Sequence, residues 1–234
     1  MLALAEKFWP GPLTFILKRK DDNPALDLAC AGLNKISVRM PNHQVAMDLI
    51  RAAGVPIVAP SANKSQTISP TTAQHVQASL GDAVPMILDA GACKVGVEST
   101  IIDVSEKQIY LLRAGGIALE ALEEFLGEKI LISDGDPNKP SSPGQMLRHY
   151  APKYETRINV VDPLPDEFYI GFGEMDCDLN LSVSGNLQEA TANLFQMMHL
   201  AEEQTKKTKI ASTPIPNVGL GRAINDRIKR ASYK

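Results

Sequence analysis

Apolar residues in this chain repeat with two different periods, and the two periods take turns along it. Leu13–Leu17, Ile36–Met40, Thr100–Val104 and Ile109–Leu112 have the length and composition of strands. His43–Ala53 instead puts Val45, Leu49, Ile50 and Ala53 on one helical face. Thr71–Leu80 does the same with Ala73, Val76 and Leu80, and Gly81 follows as its stop. Such alternation restricts the chain to helices packed on a sheet. Pro56–Ala59 is expected as a short buried strand and Met86–Asp89 as another. Consecutive strands between 86 and 112, with no helix among them, predict a mixed sheet rather than a doubly wound one. Leu119, Leu122, Phe125 and Leu126 form a last amphipathic helix that ends at Gly127.

The rhythm breaks at Ser133. The run to Gly144 is rich in Pro, Gly, Ser and Asp and has no hydrophobic period, which marks a linker. It closes on Met146-Leu147-Arg148-His149-Tyr150-Ala151-Pro152, a decorated segment that either packs Tyr150 on a neighbour or folds over a ligand. A smaller unit follows. Ile158–Val161, Phe168–Phe172 and Ile210–Ser212 read as strands. Leu187, Ala190, Leu194, Met197, Met198 and Ala201 line one long helix, and Leu220, Ile224, Ile228 and Ala231 another. Arg227, Lys229 and Arg230 near the end of that helix read as a solvated face favoured by the helix dipole. The expected division is therefore 1–132, a linker over 133–154, and 155–234.

Composition narrows the function classes. A net charge of −3 does not advertise nucleic acid, although a local basic patch remains open. The three cysteines form neither a CxxC pair nor a Cys/His cluster, so no disulfide framework or zinc site is indicated. Free thiols fit a reducing cytoplasm. No apolar run reaches membrane-spanning length, and the first residues lack the basic region of a signal peptide. They read as a helix already in progress.

Ala59-Pro60-Ser61-Ala62-Asn63 carries the sharpest functional signal. An apolar run stops at Pro60, and small polar residues follow at a strand's carboxyl end, where α/β sheets bind ligands. By itself Ser-x-Asn reads equally as an Asx or Ser/Thr turn. Arg39, Glu98-Ser99-Thr100 and Arg113 are its company. There is no phosphate-binding loop: Gly91 to Gly96 has the glycine spacing, but Val97 stands where Lys is needed. Gly219-Leu220-Gly221 lacks a third glycine, and the four histidines are scattered, so no triad can be argued.

Taken in order, several segments resemble the YrdC-like threonylcarbamoyl-AMP synthases in their two-domain form. They are Trp9–Thr14, Val38–Pro41, Ala59–Asn63, Ser69-Pro70-Thr71, Glu98–Thr100, Leu112–Gly115, Ser142-Pro143-Gly144 with His149–Pro152, and Gly219–Arg227. The resemblance runs from about residue 8 to the end. It implies an α/β fold: a mixed twisted sheet of the YrdC-like type, incomplete at the N-terminus, plus a small Rossmann-like α/β C-terminal domain. It implies the reaction of L-threonine, bicarbonate and ATP to threonylcarbamoyl-adenylate and pyrophosphate, with Mg²⁺ held through the nucleotide. A downstream tRNA-modifying transferase would take the product, and double-stranded RNA or tRNA would be a further partner.

The resemblance also implies roles. Arg39 would pair with the threonine carboxylate, or else serve as a strand Arg on a local acid. Ala59 would offer backbone and Ser99 a hydroxyl to threonine. Ser61, Asn63 and Ser69 would hold ATP, Ser69 being also a candidate helix cap. Arg113 would reach the phosphates, Lys35 the nucleotide, and Tyr150 would close over it. The family's early Thr, its Lys-x-Arg motif and a downstream His have no counterpart here, since Lys18-Arg19-Lys20 follows the Pro-Gly-Pro-Leu-Thr segment instead of preceding it. Weak or absent activity of this chain alone is the matching expectation. Two other readings are a carbamoyl-adenylate enzyme of hydrogenase maturation and a non-catalytic nucleotide- or RNA-binding remnant. The His-Tyr-Ala-Pro segment and the Gly-Leu-Gly tail argue against the former.

Overall fold

The computed structural model describes residues 1–20, 27–30, 32–133 and 149–233. It divides into two compact units, Met1–Pro60 with Glu98–Ser142 and Ser61–Val97 with Pro143–Lys234. Most of the expected linker, including Ser142-Pro143-Gly144 and Met146-Leu147-Arg148, lies outside the described residues.

The first unit contains a five-stranded sheet. Its strands are β1 (Leu13–Lys18), β2 (Lys35–Val38), β3 (Thr100–Asp103), β4 (Tyr110–Arg113) and β5 (Leu131–Ile132), in the order β2-β1-β3-β4-β5. β1 runs antiparallel to β2 and parallel to β3; β4 runs antiparallel to β3 and parallel to β5. The mixed sheet is thus as the uninterrupted strand run predicts. β3 is buried at all four positions, which is why Thr100–Asp103 tolerates no exposed face. Leu4 of helix α1 (Leu2–Phe8), Leu13, Phe15, Ile102, Leu111 and Leu122 share one core. Helix α4 (Leu119–Leu126) is eight residues long, below the roughly 12–15 that a helix needs to persist alone. Burial of Leu119 and Leu122, worth about 1.5–3 kcal/mol each, holds it in place. Gly127 ends it at φ 71°, donating to Glu123 O.

One expectation fails in this unit. Pro56–Ala59 forms no strand, and Val55, Ile57 and Val58 are exposed by 60%, 43% and 70%. No described strand pairs with this segment, and extended backbone without a ladder partner is not a strand. Helix α2 (Gln44–Ala53) forms with its amphipathic pattern intact, yet buries no residue. Its apolar face is therefore unused, with Val45 and Leu49 exposed. An apolar surface of this kind favours association. Sedimentation velocity at rising concentration is expected to show self-association, weakened by joint Val55→Thr, Ile57→Thr and Val58→Thr substitution. A monomer throughout would contradict this.

The second unit contains β6 (Glu155–Arg157), β7 (Glu167–Gly171), β8 (Leu179–Asn180) and β9 (Lys209–Ser212), all parallel, in the order β6-β9-β7-β8. Parallel strands, with α5 (Leu187–Gln204) as the crossover from β8 to β9, make this the Rossmann-like layer that the resemblance implies. β6 begins earlier than the expected Ile158–Val161, because Asn159 at φ 57° interrupts the extended run there. Met86–Asp89 is likewise no strand; Met86 and Leu88 are exposed and the segment pairs with no described strand. Helix α3 (Ala73–Leu80) starts after Thr72, whose hydroxyl accepts from His75 N. Helix α5 (Leu187–Gln204) is capped by Asn186 Oδ1, which accepts from Gln188 N and Glu189 N at 2.9 and 3.0 Å. It buries Ala190, Leu194, Phe195, Met198 and Ala201 against Ile210 and against Ile224 of helix α6 (Gly221–Ala231). Arg227 on α6 corrects its solvated reading: it is fully buried, 2.6 Å from Asp226 and with its guanidinium 5.2 Å from the Tyr150 ring centre. A long side chain facing the core can be covered even though its neighbour Lys229 is exposed.

Candidate active site

One end of the first sheet collects polar side chains that sequence order keeps apart. β2 and β4 end there, while β1 and β3 begin. The register that pairs Phe15 with Val38 leads on to Thr14 and Arg39. Ile101 pairs with Arg113. Ser99 sits just before β3, buried, with its hydroxyl 2.7 Å from that of Thr14. Arg113 Nε and Nη2 donate to Ser99 O at 3.2 and 3.0 Å, and Nη2 also reaches Ser99 Oγ at 3.3 Å. Gly116 N donates to Glu98 O at 3.0 Å. Gly115 is needed for this approach, since a Cβ there would lie 2.4 Å from Glu98 O, Ser99 C and Thr100 N. The Glu98–Thr100 turn is therefore clamped on three sides.

Arg39 is exposed and makes no hydrogen bond or ion pair with any described residue. Partial desolvation by nearby protein lowers its pKa somewhat without threatening its charge. Lys35 is engaged: its Nζ lies 2.7 Å from Asp103 Oδ2. Burial would raise the Asp103 carboxyl, but hydrogen bonds from Lys35 and Ser105 outweigh it and hold the group below its usual range. Ala59 is exposed on its unpaired segment.

Ser61, Asn63, Ser69 and Tyr150 belong to the second unit. Ser61 is exposed, and Ser61 O accepts from Asn63 N at 3.0 Å. Asn63 Nδ2 donates to Thr67 O, Thr67 Oγ1 and Ile68 O. Its Oδ1 is buried without a hydrogen-bond partner among the described residues. Ser69 is buried and is not the helix cap, since Thr72 fills that place. Tyr150, at φ 61°, is 1% exposed and packs against Phe195 with ring centres 5.3 Å apart. Thr14 and Gly115 stand in the motif segments, but nothing in the sequence singles them out; only the turn around Ser99 does.

His75 and His199 stack with ring centres 3.8 Å apart. His199 Nε2 donates to Ser69 O at 3.1 Å, while His75 Nδ1 accepts from Thr71 N at 3.3 Å. Burial lowers the pKa of both. For His75 the neighbouring His199 adds to this and Glu203 opposes it; for His199 the Ser69 carbonyl and Glu203 oppose it and Lys153 adds to it. The unfolded chain thus binds more protons near the ordinary value of 6.5. The second unit holds its full stability above that pH and loses it as pH falls toward the depressed values. Its melting temperature is expected to drop between about pH 7.5 and about pH 5.5, and a His75→Phe, His199→Phe double variant to flatten that drop. An equal slope in the variant would show that other groups cause it.

Comparison with known proteins finds two family matches that follow the order of the chain and do not coincide with the two compact units. Residues 1–115 match the family described as Telomere recombination, and residues 117–232 match the Threonylcarbamoyl-AMP synthase, C-terminal domain family. The threonylcarbamoyl-AMP synthase of Pyrococcus abyssi is 34% identical over 250 aligned positions, covering 98% of this chain and 72% of its own length. That of Bacillus subtilis is 35% identical over 251, with the same coverage of 98% and 72%. The crystal structure of P. abyssi Sua5 complexed with L-threonine superposes with a TM-score of 0.86 at 34% identity, over 98% of this chain and 72% of that one. By sequence in both parts and by fold, the chain belongs to the two-domain threonylcarbamoyl-AMP synthase family.

Proposed function

We propose that this chain carries the chemistry of L-threonylcarbamoyl-adenylate formation from L-threonine, bicarbonate and ATP. The observation that supports it most is one sheet end, where Arg39 follows β2 without a hydrogen-bond or ion-pair partner among the described residues and the clamped Ser99 hydroxyl precedes β3. A guanidinium and a hydroxyl donor suit an amino-acid carboxylate. Bicarbonate takes up a proton and loses water to give carbon dioxide, and the threonine amine adds to it and gives up a proton, forming a carbamate. A carbamate oxygen then attacks the α-phosphorus of ATP and pyrophosphate leaves. This reaction asks for positioning and charge neutralisation and needs no side-chain nucleophile.

In this reading Arg39, Ala59 and Ser99 hold threonine. Ser61, Asn63, Ser69, Arg113, Lys35 and Tyr150 serve the nucleotide. The buried, unpartnered Asn63 Oδ1 is an acceptor suited to a nucleotide N–H. Lys35 would have to leave Asp103 to reach a phosphate, and Arg113 would act from the Ser99 turn. Among the described residues no group of three or more His, Cys, Asp or Glu side chains converges on a metal. Mg²⁺ accordingly enters this proposal as a companion of the ATP phosphates, neutralising their charge. The product goes to a tRNA-modifying transferase in the cytoplasm. Among the described residues no helix is long and apolar enough to cross a membrane. The division at 133–154 is part of the same proposal.

The test supplies threonine, labelled bicarbonate, ATP and Mg²⁺ and follows threonylcarbamoyl-adenylate and pyrophosphate by mass spectrometry. Binding of threonine and ATP, with product at no more than a weak level that requires all three substrates and falls further in Ser99→Ala, supports the reading. A chain that binds neither threonine nor ATP would refute it.

A further inference from the structure

We propose that Thr14 is a positioning residue that aims the Ser99 hydroxyl proton into the amino-acid site. This rests on the reading of Ser99 as a threonine contact. Both hydroxyls are buried, Ser99 at 5% and Thr14 at 8% exposure. Among the described residues Ser99 Oγ has two partners, Thr14 Oγ1 at 2.7 Å and Arg113 Nη2 at 3.3 Å, and Thr14 Oγ1 has one, Ser99 Oγ.

A hydroxyl carries one proton and two acceptor sites, whereas a guanidinium only donates. Ser99 Oγ therefore accepts from Arg113. Two hydroxyl protons remain, and the pair itself can use one. The other is spent only when a ligand supplies an acceptor. If that acceptor meets Ser99, Thr14 must be the donor within the pair: Thr14 Oγ–H to Ser99 Oγ, and Ser99 Oγ–H to the ligand. Each bond in such a chain polarises the next. The Arg113 cation beside Ser99 Oγ repels an ammonium and favours an anionic oxygen. Ser99 is thus set to donate to a carboxylate or carbamate oxygen and is poorly set to accept from the threonine amine. Thr14 does this without touching the ligand.

Thr14→Val keeps the shape and removes the hydroxyl. One hydrogen bond of this kind is worth about 0.5–1.5 kcal/mol, so the dissociation constant for L-threonine, measured by calorimetry on the full chain, is expected to rise roughly two- to ten-fold. Thr14→Ser is expected to restore it to near the original value, which a purely steric role of the γ-methyl would not allow. In a Ser99→Ala background, Thr14→Val is expected to add nothing, because the group it orients is gone. Should Thr14→Val fail to fold, Thr14→Cys, a weak donor of similar size to serine, takes its place in the same comparisons. If Ser99→Ala weakens threonine but Thr14→Val does not, the positioning role is wrong and the site stands. If Thr14→Val acts equally in both backgrounds, its effect is structural and the inference falls. If the chain binds no threonine, or Ser99→Ala binds it unchanged, the site itself is misplaced and this inference falls with it.

Discussion

Arg39→Ala is expected to weaken L-threonine binding by roughly ten- to a hundred-fold, the cost of a charge-assisted pair worth about 1.5–3 kcal/mol. Its stability is expected to stay within about 0.5 kcal/mol of the parent, because Arg39 is exposed and has no described partner to abandon. That separation is the value of the experiment: affinity falls while the melt does not move. Arg39→Lys is expected to recover part of the loss, since an ammonium supplies the charge but cannot form two parallel bonds to a carboxylate. Calorimetric titration with threonine reads both. Unchanged affinity in Arg39→Ala, alongside weakened binding in Ser99→Ala, would move the carboxylate partner away from β2.

Arg227→Ala is expected to destabilise the second unit by about 3 kcal/mol, the lower end of the range for removing one partner of a buried pair. The lower end applies because Asp226 is 30% exposed and keeps Arg230 at 2.9 Å. The remaining cost is the space left beneath Tyr150, whose ring faces the guanidinium at 5.2 Å. Arg227→Met fills that space without a charge and is expected to lose clearly less than Arg227→Ala. Urea unfolding followed through a probe in the second unit measures both. If Ala and Met cost the same, the charge rather than the filled volume is what matters. Loss of nucleotide affinity in Arg227→Ala under native conditions would further tie Tyr150 placement to its role in the site.

The strands and helices that the sequence makes plain are those whose apolar pattern meets a partner. α5 shows its face at Leu187, Ala190, Leu194 and Ala201, and it buries that face. β1 and β3 are short, largely buried segments built around Leu13, Phe15, Ile16, Ile101 and Ile102, and both lie inside their sheet. Pro56–Ala59 and α2 carry equally clear patterns, yet remain exposed. Periodicity reports what a segment could bury; whether a neighbour is there to cover it belongs to tertiary structure.

The same limit governs the site. The motif segments that hold Arg39, Ser61, Asn63, Ser99 and Arg113 resemble those of a known family, and it was that resemblance that implied the chemistry. Sequence also placed Arg39, Ser99 and Arg113 at strand ends, whereas the strand it expected before Ser61 and Asn63 does not form. It could not show that Thr14 meets Ser99 across 85 positions, that Lys35 is held by Asp103 across 68, or that His75 stacks on His199. Nor could it distinguish the buried Arg227 from the exposed Lys229 two residues later. Local sequence determines which groups are available and which segments extend or coil. Hydrogen-bond direction, burial and charge pairing depend on distances between strands and helices far apart in the chain, and folding alone creates those distances.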